Sequence, residues 1–296
     1  MSARLAAIAF IAVALPAAAA PGSLQLSVQN DSGFGTDRGF SSGARLSWLA
    51  EGAFELGLVH QIHMPDASRD ILGFADRPYA GRLLAFGARH FASADAGTPG
   101  HRLATVEVQA GVTGPSARGR QVQDFFHGFI SSPETDWSRQ RRDRFDGAVV
   151  VAETRELWRG AGSPWSVAGH AGANAGTVVG FLHGGLELRW GAPGSLASEL
   201  LRHASTPQGK GAPAGFSAFA GASARRVWRN RLLEREADDP GLPLVRENVV
   251  GRIAAGGAWK AAWGTVSFAV AQETREIEGQ PWRGRFWSVQ AALPFD

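Results

Sequence analysis

Three polar clusters interrupt an otherwise apolar and small-residue pattern. The first is Asn30-Asp31, followed by Thr36-Asp37-Arg38-Gly39-Phe40-Ser41-Ser42-Gly43. The second is Asp76-Arg77-Pro78-Tyr79-Ala80-Gly81. The third starts at Gly114-Pro115-Ser116 and runs through Arg118, Arg120, Gln121, Val122, Gln123 and Asp124 to His127. Together they hold an imidazole, carboxylates, an amide and hydroxyls. A histidine has the right unperturbed pKa to take a proton from water near neutral pH. A carboxylate on its other ring nitrogen would fix the tautomer. Carboxylate and carbonyl oxygens suit a hard cation such as calcium, which can polarise an acyl carbonyl. That set is sufficient for ester hydrolysis by activated water. Gly39-Phe40-Ser41-Ser42-Gly43 has the Gly-x-Ser-x-Gly spacing, but it leads into an alternating strand pattern and not the strand-to-helix turn of a nucleophile elbow, so a serine acyl-enzyme is disfavoured. His60, His63, His90 and His101 have no metal-ligand spacing. Taken singly, each cluster has an ordinary meaning: Asn-Asp is most often a turn, and Asp76-Arg77 suits an ion pair that orders a loop.

The elements that must position these groups are strands. Leu24, Leu26 and Val28 alternate with Ser23, Gln25, Ser27 and Gln29, and Val106 and Val108 with Glu107 and Gln109. Ala44, Leu46 and Trp48 alternate with Arg45 and Ser47 in the same way. Alternation puts one residue set on each face. About twelve candidate strands follow from this pattern, many near ten residues long, the length of a tilted membrane-crossing strand. They lie near 23–31, 42–50, 53–62, 81–92, 102–113, 144–157, 164–174, 177–191, 214–228, 247–260, 262–275 and 283–295. An even number of antiparallel strands with apolar residues to lipid and polar residues inside is a transmembrane β-barrel. Long connections fall near 63–80, 114–143, 192–213 and 229–246. The stretch 192–213 reads as a flexible Gly, Pro and Ser-rich loop. Within 114–143, Val122, Phe125, Phe126, Phe129 and Ile130 recur at helical spacing, which predicts a short helix from Arg120 to Ile130.

Composition agrees with a membrane setting. Residues 1–20 read as a signal peptide, with Arg4, an apolar run from Leu5 to Leu15 and alanines up to Ala20. Residues 21–296 then form one barrel domain. The chain has no cysteine, 38 glycines and 10 tryptophans. Glycine-rich strands and interfacial tryptophans are usual in outer-membrane barrels. No later segment offers about 18 uninterrupted apolar residues, which excludes helical spans. The formal net charge of +3 is too weak to argue for nucleic acid. The run Arg139, Arg141, Arg142, Arg144 reads as a solvated or lipopolysaccharide-facing surface.

The order and spacing of the three clusters resemble the outer-membrane lipid A 3′-O-deacylase family, LpxR. Asn30-Asp31, Asp37-Arg38 leading to Phe40-Ser41-Ser42-Gly43, Asp76-Arg77, and Gly114-Pro115 with Val122-Gln123 and His127 match its motifs in order. Gly172-Ala173-Asn174-Ala175-Gly176 and Glu276-x-Glu278-Gly279-Gln280 resemble later segments. The family usually has Tyr-Thr where this chain has Phe40-Ser41, and its acidic residue after the histidine falls nearest Glu134, with Asp136 a rival.

The resemblance implies a twelve-stranded barrel and a calcium-dependent acyl hydrolase acting on lipid A. His127 is then the general base, Asn30 and Asp31 stand at the metal and oxyanion side, with Asp31 as metal ligand, and Ser41 takes the hydroxyl position. Glu134 is the expected acidic partner. Asp76 and Arg77 are candidate substrate contacts, Arg77 toward a lipid A phosphate. The expected setting is the outer membrane of a Gram-negative bacterium, as a monomer that binds lipopolysaccharide and no nucleic acid. Two other classes compete. A non-enzymatic porin-like barrel would conduct ions and tolerate loss of His127. A soluble periplasmic β-protein would have to hide its apolar strand faces.

Overall fold

The fold is that of a computed structural model, which describes residues 22–31, 34, 38–50, 53–66, 77–93, 101–130, 135–191, 214–234, 244–281 and 283–295. The expected signal peptide, Glu134, Asp76 and the stretch 192–213 lie outside the described residues. Twelve strands make a closed barrel. They are β1 Gly22–Asn30, β2 Gly39–Ala50, β3 Phe54–Met64, β4 Ala80–Ala92, β5 Arg102–Thr113 and β6 Arg144–Arg159. Then follow β7 Trp165–Gly176, β8 Val179–Gly191, β9 Gly215–Asn230, β10 Val249–Ala261, β11 Gly264–Glu273 and β12 Arg285–Phe295. Each pairs antiparallel with the next, and β12 closes on β1, Gly22 opposite Phe295. One helix, α1 Gly119–Ile130, stands between β5 and β6. No helix among the described residues is long and apolar enough to cross a membrane; the chain crosses with strands.

The period-two pattern sorts residues as a membrane barrel requires. On β5 Val108 is 56% exposed on the outer face, while Glu107 beside it is 3% exposed in the lumen. The lumen is crossed by charged pairs rather than left open. Arg45 on β2 reaches Glu107 on β5 at 2.8 Å and Glu55 on β3 at 3.3 Å. His90 bonds Glu55 and Thr105, each at 2.9 Å. Arg82 on β4 holds Asp146 on β6 at 2.7 Å, and Thr113 donates to the same carboxylate at 2.6 Å. Such pairs satisfy each other's charge in a confined space, so removing one partner strands the other.

Because strands alternate in direction, the ends of β1, β3, β5, β7, β9 and β11 share one rim. The strand ends at Asn30, Met64, Thr113, Gly176, Asn230 and Glu273 therefore gather at the same end. Across this mouth, Leu232 packs with Ala80 and Val178, and Leu233 is also buried. Arg141 donates to the carbonyls of Leu232 at 3.3 Å and Glu234 at 2.7 Å. Arg141 is thus buried, unlike the solvated arginine the sequence suggests, because those carbonyls need a donor where the turn covers the mouth.

The helix does not enter the lumen. The outward-facing residues at the end of β3 are His60, Ile62 and Met64, and all three are buried. Ile62 and Met64 pack with Tyr79, Trp137 and Val122. The ring of His60 bonds the carbonyl of Ala117 through Nε2 at 2.9 Å. So Ala117, the helix and Trp137 lie against the outside of β3 and β4.

Candidate active site at the helix rim

Two groups of candidate residues lie at this rim, one on β1 and β2 and one on α1. In the first, Asn30 sits opposite Ser42 on β2 and Trp287 on β12. The ladder runs one step past the strand, since the amide of Asp31 donates to the carbonyl of Ser41 at 3.0 Å. On its other edge β2 carries a bulge: Phe40 pairs with His63 and Ser42 with Ile62, leaving Ser41 as the extra residue. A bulge re-aims a side chain. Here the Ser41 hydroxyl donates to Asp31 Oδ1 at 3.3 Å, and the Arg38 amide donates to Asp31 Oδ2 at 2.9 Å. Arg38 itself is held by Asp66 at 2.9 Å. Asp31 is 2% exposed, and two donors orient its carboxylate. The bulge also starts β2 at Gly39, three residues before the alternation becomes visible at Ser42.

In the second group, His127 lies half-buried on α1. One turn earlier, Gln123 is buried, with its Nε2 3.5 Å from His127 Nε2 and 2.7 Å from Met64 Sδ. Gln123 Oε1 accepts from Trp137 Nε1 at 2.9 Å and from Thr135 at 3.2 Å. With its oxygen taken by two donors, the amide must turn its NH2 toward the imidazole and the thioether. Tyr79 backs Trp137, ring centroids 4.9 Å apart. The helix approaches the wall at two glycines. A Cβ on Gly119 would lie 2.8 Å from the Trp137 ring and 2.9 Å from the Gly81 Cα; one on Gly81 would lie 2.9 Å from the Gly119 nitrogen. Neither position has room for a side chain.

The groups meet at the end of β3. Met64, which touches Gln123, is paired with Gly39, two residues before Ser41. The structure therefore joins Asp31 to Ser41 directly, sets Asn30 on the adjoining rung, and mounts His127 over the neighbouring strand end. Arg77 belongs elsewhere: it is buried in an ion pair with Glu276 at 2.7 Å and reaches Gln280 at 3.5 Å. Glu276 also takes Arg225 at 2.8 Å. Asp136 caps the turn Trp137–Arg139 by accepting from the Ser138 amide at 2.9 Å. Its backbone and side-chain bonds to Ser138 hold this exposed carboxyl below the usual range. Gln123, Trp137 and Arg38 are contributors that the sequence does not single out as site residues. The signals for Gln123 are its place beside Val122 in the motif that leads to His127 and its spacing of four from that histidine on a helix.

Among the described residues no three His, Cys, Asp or Glu side chains group as a metal cage. What Asp31, Ser41 and Asn30 offer is one carboxylate with neutral oxygens. That all-oxygen set fits a hard cation such as calcium and does not fit zinc or copper, which favour nitrogen or sulfur.

The whole chain compares with known proteins as follows. A family model described as outer membrane protein LpxR matches residues 5–295. A sequence comparison with curated proteins finds no significant match. Among solved structures, LpxR from Salmonella typhimurium superposes with a TM-score of 0.76 at 18% identity, over 92% of this chain and 100% of that one. The TodX deltaS2S3 mutant, a monoaromatic hydrocarbon channel, gives 0.38 at 11% identity over 95% of this chain and 91% of its own. OprB of Pseudomonas putida gives 0.32 at 10% identity over 86% and 59%. Neither of the last two scores bears on function.

Proposed function

The chain belongs to the LpxR family of outer-membrane lipid A deacylases, and from that premise we propose a calcium-dependent, histidine-based hydrolysis at the outer wall of the barrel. The observation that carries the proposal is the buried Ser41–Asp31 pair, 3.3 Å apart, at the rim where the helix bearing His127 is docked. His127 takes the proton of the attacking water, and Gln123 keeps the ring from turning. Asp31 and Ser41 present oxygens to the cation, and the Asn30 amide faces the developing oxyanion. When bound there, calcium would polarise the ester carbonyl and share the oxyanion's charge. Each oxyanion donor contributes roughly 3–4 kcal/mol in comparable sites. Glu134 is kept as the acidic partner of His127, since Asp136 is engaged with Ser138. A phosphate contact by Arg77, beside Asp76, would require lipid A phosphate to exchange with Glu276. The protein is proposed to act as a monomer.

Lipid A from cells with and without the protein, compared by mass spectrometry, tests the proposal. Loss of one acyl chain only in expressing, calcium-replete cells is the expected outcome. Identical spectra would contradict it.

A further inference from the structure

The packed stripe of α1 runs off the barrel. Gly119, Val122 and Gln123 occupy helical positions i, i+3 and i+4, and all three face the wall. Phe126 completes the stripe at i+7, yet it is 60% exposed. Phe125, edge-to-face with it at 5.5 Å, is 36% exposed. The opposite side of the helix is polar: Arg120 pairs with Asp124 at 3.4 Å, both exposed. An apolar edge against a charged edge is the pattern of a helix lying in a membrane interface.

The register of the barrel says what covers the apolar edge. Leu83 pairs with Val112, and Val112 with Phe145. Phe145 points outward, 65% exposed, at the upper end of the lipid-facing set that continues in Val149 and Val151. The wall beneath α1, at Gly81, is two residues beyond that level, about 7 Å along a strand. Trp228 and Val249, also exposed, border the same rim. The helix thus starts where the lipid-facing belt ends, and its phenylalanines extend that belt.

We propose that Phe125 and Phe126 lodge in the acyl-chain region of the surrounding leaflet, so that α1 is a lipid-embedded element of the outer wall. One consequence rests on the hydrolase reading: the embedded edge would hold His127 at the depth where acyl esters lie.

The chain has no native cysteine, so single nitroxide labels can be placed cleanly. Phe126→Cys and Phe125→Cys, labelled and reconstituted in phospholipid bilayers, are compared with Val108→Cys in the belt and Asp124→Cys on the polar edge. Labels at 126 and 125 are expected to collide more with oxygen than with a water-soluble nickel chelate, as at 108. Labels at both positions that match the aqueous behaviour of 124 would overturn the proposal. The same measurement on Phe126→Cys combined with His127→Ala separates the two readings. Insertion persists there even if hydrolysis fails, and an aqueous label with full hydrolysis sinks only the insertion.

Discussion

The Ser41 hydroxyl donates to Asp31 Oδ1 across the ends of β2 and β1. It reaches that oxygen because the bulge at Ser41 frees the residue from the β2–β3 ladder while its carbonyl still takes the Asp31 amide. Ser41→Ala should therefore remove a carboxylate donor without unfolding the strands. The expected stability loss is about 0.5–1.5 kcal/mol, with a clear fall in kcat on lipid A, and Ser41→Thr should restore most of the activity. Urea unfolding and product release measured on the same preparations check both parts.

Gln123 is a positioning residue. Gln123→Ala leaves Trp137 Nε1 without its Gln123 acceptor, although Thr135 still lies 3.0 Å away. The destabilisation should stay within about 1–3 kcal/mol. If Gln123 steadies the imidazole, kcat falls while KM stays near the parent value. A purely structural role would lower melting temperature and leave kcat of the folded fraction unchanged.

Gly119→Val tests whether docking of α1 matters to the chemistry. The new side chain has no space against Trp137 and Gly81. The barrel should still form, seen as unchanged far-ultraviolet dichroism, while lipid A hydrolysis is lost. Retained activity would mean that the helix need not sit on the wall.

The lumen should not conduct like a porin. Arg45 reaches Glu55 and Glu107 inside it, and Leu232 packs with Ala80 and Val178 at the mouth. Planar bilayer recordings are expected to show no large, steady channel. Arg82→Ala leaves Asp146 buried without its arginine, and the expected cost is about 3–5 kcal/mol by thermal unfolding.

Much of this was legible in the residues. Alternation in Leu24 to Gln29 or Val106 to Gln109 marks strands because lipid and lumen demand opposite side chains. The helix begins at Gly119, one residue before the expected Arg120. Alternation failed on β3, expected to end at Ile62 but continuing to Met64. There Val59, His60, Gln61, Ile62, His63 and Met64 are buried on both faces, since the lumen covers one set and the helix segment the other. The role of Gln123 and the burial of Arg141 depend on contacts with Met64 and Leu232, 59 and 91 residues away in sequence. No local pattern encodes contacts of that kind. The Ser41 bulge was hidden for a similar reason, because it exists only relative to the register of β3.

Purified protein in detergent with lipid A tests the central claim most directly, comparing parent and His127→Ala in calcium and in chelator. The expected result is fatty acid release by the parent in calcium alone, restored after chelation by calcium and not by zinc. His127→Ala should fall by on the order of 10²–10⁴-fold. Release by His127→Ala at the parental rate, with the barrel folded, would contradict the account.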